Sequence, residues 1–209
     1  MKERLMTWVL GALALGTGCS NVGPAWTYAG AEGPASWGTL DPTFAACGSG
    51  RSQSPVNIVE VLPRDLPNLA FKYGTAPVRL RNNGRAIEQA FDPGQSVAIG
   101  NMRYELQSLT LHTPSEHRAA GRTFPIELQL LHKSAQGHLL VISVMVKEGI
   151  ITAAALAGIL NHLPPQPGTP MTASGPYPWS SFFLPNVLTC ATAGRSPRPP
   201  AGRTSCGWS

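Results

Sequence analysis

The strongest hydrophobic pattern in the chain runs from Leu106 to His132, LQSLTLHTPSEHRAAGRTFPIELQLLH. Before the Thr113-Pro114 break, side chains alternate with the period of two expected of a half-buried strand. That alternation sets Leu106, Ser108, Thr110 and His112 on one face, with Gln107, Leu109 and Leu111 behind them. A second run, Phe124 to His132, puts Glu127, Gln129 and Leu131 on a common face, and His138 to Val146 extends the series. Met102–His112 and Phe124–His132 are therefore expected to be neighbouring strands that carry a buried polar site on a rigid sheet.

The rest of the chain is read from its punctuation. Trp26 to Ile58 is interrupted by Gly30, Gly33, Pro34, Gly38, Pro42, Gly48 and Gly50 and is expected to be mostly irregular. Phe71 to Phe91 reads as strands and turns, with Arg81-Asn82-Asn83-Gly84 as a tight hairpin. Ile151 to Leu163 is the one convincing helix: its alanine-rich stretch has strong propensity despite Gly158, and Pro164 and Pro165 stop it. Gln166 to Pro185 reads as a proline-rich connection. Plentiful glycine and proline with short apolar runs predict one mainly β domain with minor α content.

Charge adds little. The formal net charge is +5, and Arg195, Arg198 and Arg203 supply three of those charges. No basic patch is interleaved with aromatics, so nucleic-acid binding is not expected, and no protein partner is identifiable. At the start, Lys2 and Arg4 precede an apolar run, Trp8 to Leu15, too short to span a bilayer as a mature helix. Residues 1–19 are expected to be a targeting segment. Gly16-Thr17-Gly18-Cys19 resembles a bacterial lipoprotein cleavage site, although the leucine stands four residues before the cysteine. Plain cleavage and lipidation of Cys19 both remain open. The location expected is the periplasm, or membrane anchoring through Cys19 at the outer membrane, in a Gram-negative bacterium.

The central stretch, His112-Thr113-Pro114-Ser115-Glu116-His117 followed by Glu127-Leu128-Gln129-Leu130-Leu131-His132, resembles the alpha-class carbonic anhydrases. Bacterial members of that family read approximately Q-F-H-F-H, then T-P-S-E-H, then E-x-H-L-V-H. The resemblance runs from Trp26 to about Leu184. It includes Trp26-Thr27-Tyr28, Gly33-Pro34, Trp37, Cys47, Gln53-Ser54-Pro55-Val56-Asn57-Ile58 and Asn82-Asn83-Gly84. It implies a central, mostly antiparallel twisted sheet with peripheral helices, and a zinc-dependent conversion of carbon dioxide and water to bicarbonate.

It also implies roles. Three histidines hold the family's zinc; here His112 matches the second, while Thr110 and Gln129 stand at the other two. Glu116 matches the glutamate that orients a threonine beside the zinc hydroxide, and Glu127 the carboxylate that supports the third histidine. Ser108 stands where a glutamine backs the first histidine. Arg85 occupies the proton-shuttle position and cannot release its proton near neutral pH. Leu131 and Val141 match the carbon dioxide pocket, or are ordinary sheet core. Tyr28 matches a pocket hydroxyl, or simply packs. Gln53-Ser54-Pro55 is expected to be structural, as are His117 and His132. Cys47 matches a cysteine that pairs with one after a T-T-P-P loop; Cys190 and Cys206 are possible partners, and a free thiol is the alternative.

Catalytic zinc needs about three protein ligands, mostly imidazole nitrogen, plus an open position. Threonine and glutamine offer neutral oxygens, which suit this ion poorly. Zinc is therefore expected to bind weakly or not at all. Without it a bound water stays near ~15.7 in pKa instead of ~7, and the hydroxide nucleophile is not made.

The sequence from Cys190 onward, CATAGRSPRPPAGRTSCGWS, has no strand pattern. Codons that encode it can be written so that the other frame gives R-Y-G-G-S-L-T-T-P-P-C-G-E-D-V-L-W-V-V, which is the family pattern. Residues 20–189 are thus expected to form an incomplete family domain, and residues 190–209 a frameshifted, non-native tail. The loss of the T-T-P-P loop would leave Glu116 without its partner, and the missing strands would expose sheet edges and lower stability. Two functions follow as expectations: an exported zinc enzyme acting on carbon dioxide and bicarbonate, or a non-catalytic family member, either binding protein or pseudogene product.

Overall fold

In the computed structural model, residues 26–51, 53–62, 65–148 and 154–182 are described. The expected targeting segment 1–19 with Cys19, and the expected non-native tail 190–209, lie outside the described residues.

Among the described residues there are ten strands and three α-helices: β1 Asn57–Ile58, β2 Leu69–Lys72, β3 Thr75–Asn82, β4 Ile87–Ala90, β5 Ser96–Ile99, β6 Met102–His112, β7 Arg118–Ala119, β8 Ile126–Ser134, β9 Leu139–Val146 and β10 Pro170–Pro178, with α1 Trp37–Leu40, α2 Ala45–Ser49 and α3 Ala154–Leu160. Eight strands form one sheet, and β1 pairs β7 in a small parallel ribbon. Every pairing in the large sheet is antiparallel. The fold is mainly β, as the short apolar runs and turn residues predict, and its large sheet is antiparallel, as the family resemblance implies.

β6 is the hub. Along one side it pairs β5 and then β4; along the other it pairs β8, and β9 lies beyond β8. Leu109, Leu111, Leu128 and Leu130 turn to one face and form a core with Val78, Leu80, Leu156, Ile159, Ala173 and Trp179. Burying each of these large apolar side chains is worth about 1.5–3 kcal/mol, so this layer fixes the register of β6 on β8.

The strand alternation differs from expectation at one point. Leu106 pairs His132 and Ser108 pairs Leu131, leaving Gln107 as an extra residue in a β-bulge. The bulge reverses the phase of the strand. Leu106 therefore joins Leu109 and Leu111 in the core, not Ser108, Thr110 and His112 on the opposite face.

Two segments carry more structure than their punctuation suggests. Trp26 to Ile58 holds α1, α2 and a 3-10 turn at Pro42–Phe44 whose N-cap, Asp41, accepts from the Thr43 backbone N–H at 2.8 Å. Gly38 there is a packing device: a Cβ on it would stand 2.6 Å from the Gly48 nitrogen, so only glycine lets α1 and α2 meet. Trp26, Trp37 and Phe44 make a second small core. Gln53, in the segment expected to be structural, donates to the Ala46 and Gly50 carbonyls at 2.7 and 3.1 Å.

The stretch read as a proline-rich connection contains β10. It pairs β3 from Pro170↔Arg81 to Pro178↔Thr75, with a register shift between Ala173 and Tyr177 where Gly175 has φ +124°. Proline is tolerated because β10 is an edge strand among the described residues. The Asn83-Gly84 turn does close a hairpin, with Asn83 N–H donating to Ala86 O at 3.1 Å. α3 is described from Ala154; it ends at Leu160, short of Pro164. Gly158 is its contact point: a Cβ there would lie 2.5 Å from the Tyr177 ring.

Candidate functional site

The face of the sheet opposite the large core carries the polar residues singled out in the sequence. Thr110 pairs Gln129 directly across β6 and β8, and His112 pairs Glu127. All four are buried. Leu131 and Val141 also pair, across β8 and β9.

Glu127 is the centre of the network. The turn after His112 folds back over it, pinned by Ser115, whose N–H donates to Phe124 O at 2.9 Å and whose Oγ accepts from Phe124 N–H at 2.9 Å. This aims the backbone N–H groups of Glu116 and His117 at Glu127 Oε2, at 2.9 and 3.0 Å. Oε1 pairs with His117 Nδ1 at 2.6 Å and accepts from Gln129 Nε2 at 3.0 Å. Burial alone would raise the pKa of this carboxyl. The hydrogen bond and charge of His117, then its backbone N–H and the Gln129 amide, outweigh burial and hold it at about 2.

Gln129 Nε2 also donates to Glu116 Oε2 at 2.9 Å. One amide thus bridges two carboxylates, and the opposite placement of its oxygen and nitrogen would set oxygen against oxygen. Its Oε1 accepts no hydrogen bond among the described residues. Glu116 is accordingly not left without a partner, as expected from the lost loop; the glutamine occupies it. The other Glu116 oxygen lies 3.7 Å from His112 Nδ1.

His117 and His132 are held by local partners. His117 Nε2 is 3.4 Å from Ser54 Oγ, which ties the Gln53-Ser54-Pro55 segment to the site. His132 lies on the core side of β8, stacked on Tyr73 and hydrogen-bonded to its hydroxyl, with Nδ1 3.3 Å from Leu140 O. Burial pushes His132 down to about 4 and raises Tyr73 above the usual phenol value.

A cavity of about 450 Å³ opens beside the network, lined by Tyr28, Asn82, Arg85, Leu111, His112 and Glu116 among others. The Arg85 guanidinium lies 4.2 Å from the Trp26 ring centroid, in a cation–π contact. Tyr28 packs edge-on against Trp26 and Trp37. One role escaped the sequence reading. Gln89 is buried and satisfies the ladder beside it, accepting from Arg79 N–H and donating to Pro77 O, both at 3.1 Å. Cys47 is disulfide-bonded, with its partner outside the described residues.

These residues do not suit a catalytic zinc. At the sheet surface the donors are one imidazole, one hydroxyl and one amide whose nitrogen is committed to Glu116 and Glu127. Among the described residues, no group of three or more His, Cys, Asp and Glu could hold a metal ion.

Comparison with known proteins places this geometry. Residues 32–166 match the model of the eukaryotic-type carbonic anhydrases. A carbonic anhydrase of Neisseria gonorrhoeae is 32% identical over 176 residues, 84% of this chain and 69% of that one. One of Pectobacterium carotovorum is 40% identical over 126 residues, 59% of this chain and 51% of its own. The chain thus spans between half and about two thirds of these relatives. The solved alpha-carbonic anhydrase of Thermovibrio ammonificans, in complex with sulfanilamide, superimposes with a TM-score of 0.73 at 26% identity, over 78% of this chain and 73% of that one. Dioscorin complexed with ascorbate gives 0.55 at 31% identity, over 60% of this chain and 55% of that one.

Proposed function

The chain belongs to the eukaryotic-type carbonic anhydrase family, and from that premise we propose that it is a non-catalytic member, with no catalytic zinc and little or no hydration of carbon dioxide. The observation that carries this reading is the Gln129 amide. Its nitrogen donates to Glu116 and Glu127 at once, so the polar site is closed by its own hydrogen bonds. Thr110 and Gln129 leave a single imidazole, His112, at the three family ligand positions. Arg85 adds no proton acceptor at the rim.

A binding role is favoured over a purely vestigial one. The dioscorin relative was solved with ascorbate, and here the cavity beside Arg85 and His112 has room for a small polar ligand. The disulfide at Cys47 supports export to an oxidising compartment, as the targeting segment implies. The tail beyond Cys190 we read as an out-of-frame product.

The test is metal content with activity. Purified chain, dialysed against zinc, should hold far less than one ion per molecule by mass spectrometry, and should leave the rate of carbon dioxide hydration at its buffer value in stopped flow. One zinc per chain together with rapid bicarbonate production overturns the proposal.

A further inference from the structure

The rim of the cavity carries a fixed cation. Arg85 lies at the tip of the hairpin between β3 and β4, where the Asn83 side chain pins the turn: its Oδ1 accepts from the Arg85 and Ala86 N–H groups, both at 2.8 Å. The Arg85 guanidinium rests over the Trp26 ring, 4.2 Å from the centroid. Trp26 is itself held in edge contacts with Tyr28 and Trp37, their ring centroids 5.6 and 5.3 Å away, and Trp37 Nε1 donates to Thr27 O and Glu32 O at 3.0 Å. Contact with a ring face does not consume the N–H fork of a guanidinium, which grips a carboxylate through two parallel hydrogen bonds. Deeper in the same cavity lie His112 and Glu116, whose side chains are 7% and 16% exposed. Glu116 accepts from Gln129 Nε2 at 2.9 Å and faces His112 Nδ1 at 3.7 Å. A carboxylate has about four acceptor sites, so it has capacity for a further donor. Between these polar ends the wall is apolar, made by Tyr28, Ala86, Ile87, Leu111 and Pro114.

Building on the reading of this chain as a non-catalytic binding protein, we propose that the cavity takes a small hydroxylated aromatic carboxylate, a monoanion with its carboxylate on Arg85 at the rim and its hydroxyl donating to Glu116 inside. Charge selects this class. A second negative charge on the ligand would meet Glu116 where little water screens it, and a purely cationic ligand would meet Arg85. The hydroxyl turns Glu116 from a repelling group into an acceptor, because it places a proton between the two oxygens. The walls select the body of the ligand. A ring lies against Leu111 and Ile87 without loss, whereas a polyol chain would strand hydroxyls there. At about 450 Å³ the cavity falls within the range of roughly 300–1,000 Å³ that small-molecule sites occupy.

Calorimetric titration of the purified full chain with 4-hydroxybenzoate should show a single site. Benzoate, which lacks the hydroxyl, and 4-hydroxybenzamide, which lacks the charge, should each bind about tenfold more weakly, the usual worth of a hydrogen bond to a charged group. Arg85→Met keeps the length of the side chain and removes its charge. It should weaken 4-hydroxybenzoate about tenfold and the amide far less, a split that misfolding would not produce. Metal content of the same sample separates this proposal from the reading beneath it. In a zinc-free chain, three results overturn the ligand class and leave the non-catalytic reading standing: no binding of any of these compounds, tyramine or the amide bound as tightly as the acid, or affinity for the acid unchanged in Arg85→Met. One zinc per chain with rapid hydration of carbon dioxide overturns both.

Discussion

Gln129 lies directly opposite Thr110 across β6 and β8, and its amide nitrogen reaches past that pair to join Glu116 to Glu127 at 2.9 and 3.0 Å. Both residues occupy strand positions that point at the same space as His112. On the reading that these are the family's three ligand positions, two side chains separate the site from a metal-binding set. Thr110→His with Gln129→His should raise zinc content to about one ion per chain, the number of protein imidazoles that catalytic zinc sites commonly use being about three. Zinc uptake without hydration activity would assign a second lesion to the region past Thr189. No uptake, in a variant with an unchanged circular dichroism spectrum, would show that the strands no longer hold the ligand spacing.

Glu127 is buried and accepts from two backbone N–H groups, His117 and Gln129. Glu127→Ala strands all of these donors at once. It should lower stability by about 3–5 kcal/mol, the usual cost of breaking a buried charged pair. Thermal or denaturant unfolding measures this; a change below about 1 kcal/mol would contradict the role given to the carboxylate.

Acid should weaken the fold in two stages. Burial holds folded His132 at about 4, whereas an unfolded histidine titrates near ~6.5. Between those values the unfolded chain binds a proton that the folded chain refuses, so stability falls as pH drops from about 6.5 toward 4. Glu127, at about 2 when folded, adds a second loss as pH falls below the ordinary carboxylate value near 4.5. The unfolding midpoint measured from pH 7 down to pH 4 should decline throughout, and His132→Gln should flatten the upper part of the decline.

Gly158→Ala should destabilise α3 although alanine favours helix by about 1 kcal/mol. The new methyl would meet the Tyr177 ring at 2.5 Å, and overpacking of that kind costs about 1–3 kcal/mol. In a Tyr177→Ala background the same change should become stabilising, a reversal that thermal unfolding of the four chains in the cycle will show.

The frame of the last twenty residues is decided by DNA. Chromosomal sequence across the codons for Val187 to Ser209 should encode S-L-T-T-P-P-C in the alternative frame. If it does not, the tail is native sequence of some other origin.

Much of the architecture was legible from alternation alone. Past the bulge, β6 and β8 set Leu109, Leu111, Leu128 and Leu130 on the core face and Thr110, His112, Glu127 and Gln129 on the other, because a strand repeats every two residues; β9 is apolar almost throughout. Leu106 was misplaced because Gln107 gives no local sign of a bulge; the bulge exists only relative to β8. β10 was hidden by Pro170, Gly175 and Pro178, residues that oppose an interior strand but suit an edge. The candidate site positions came from the family resemblance, but the amide bridge could not. It depends on the turn that brings Glu116 back over β8, a contact thirteen residues apart in sequence and absent from any local pattern.

The Gln129 bridge also sets what conditions can and cannot do to this molecule. A carboxamide neither sheds nor gains a proton in ordinary water, so alkali, acid or a flood of metal salt leaves it the same neutral group. On the proposed non-catalytic reading, dormancy would therefore be written into the gene, and a change of codon would be what wakes the site.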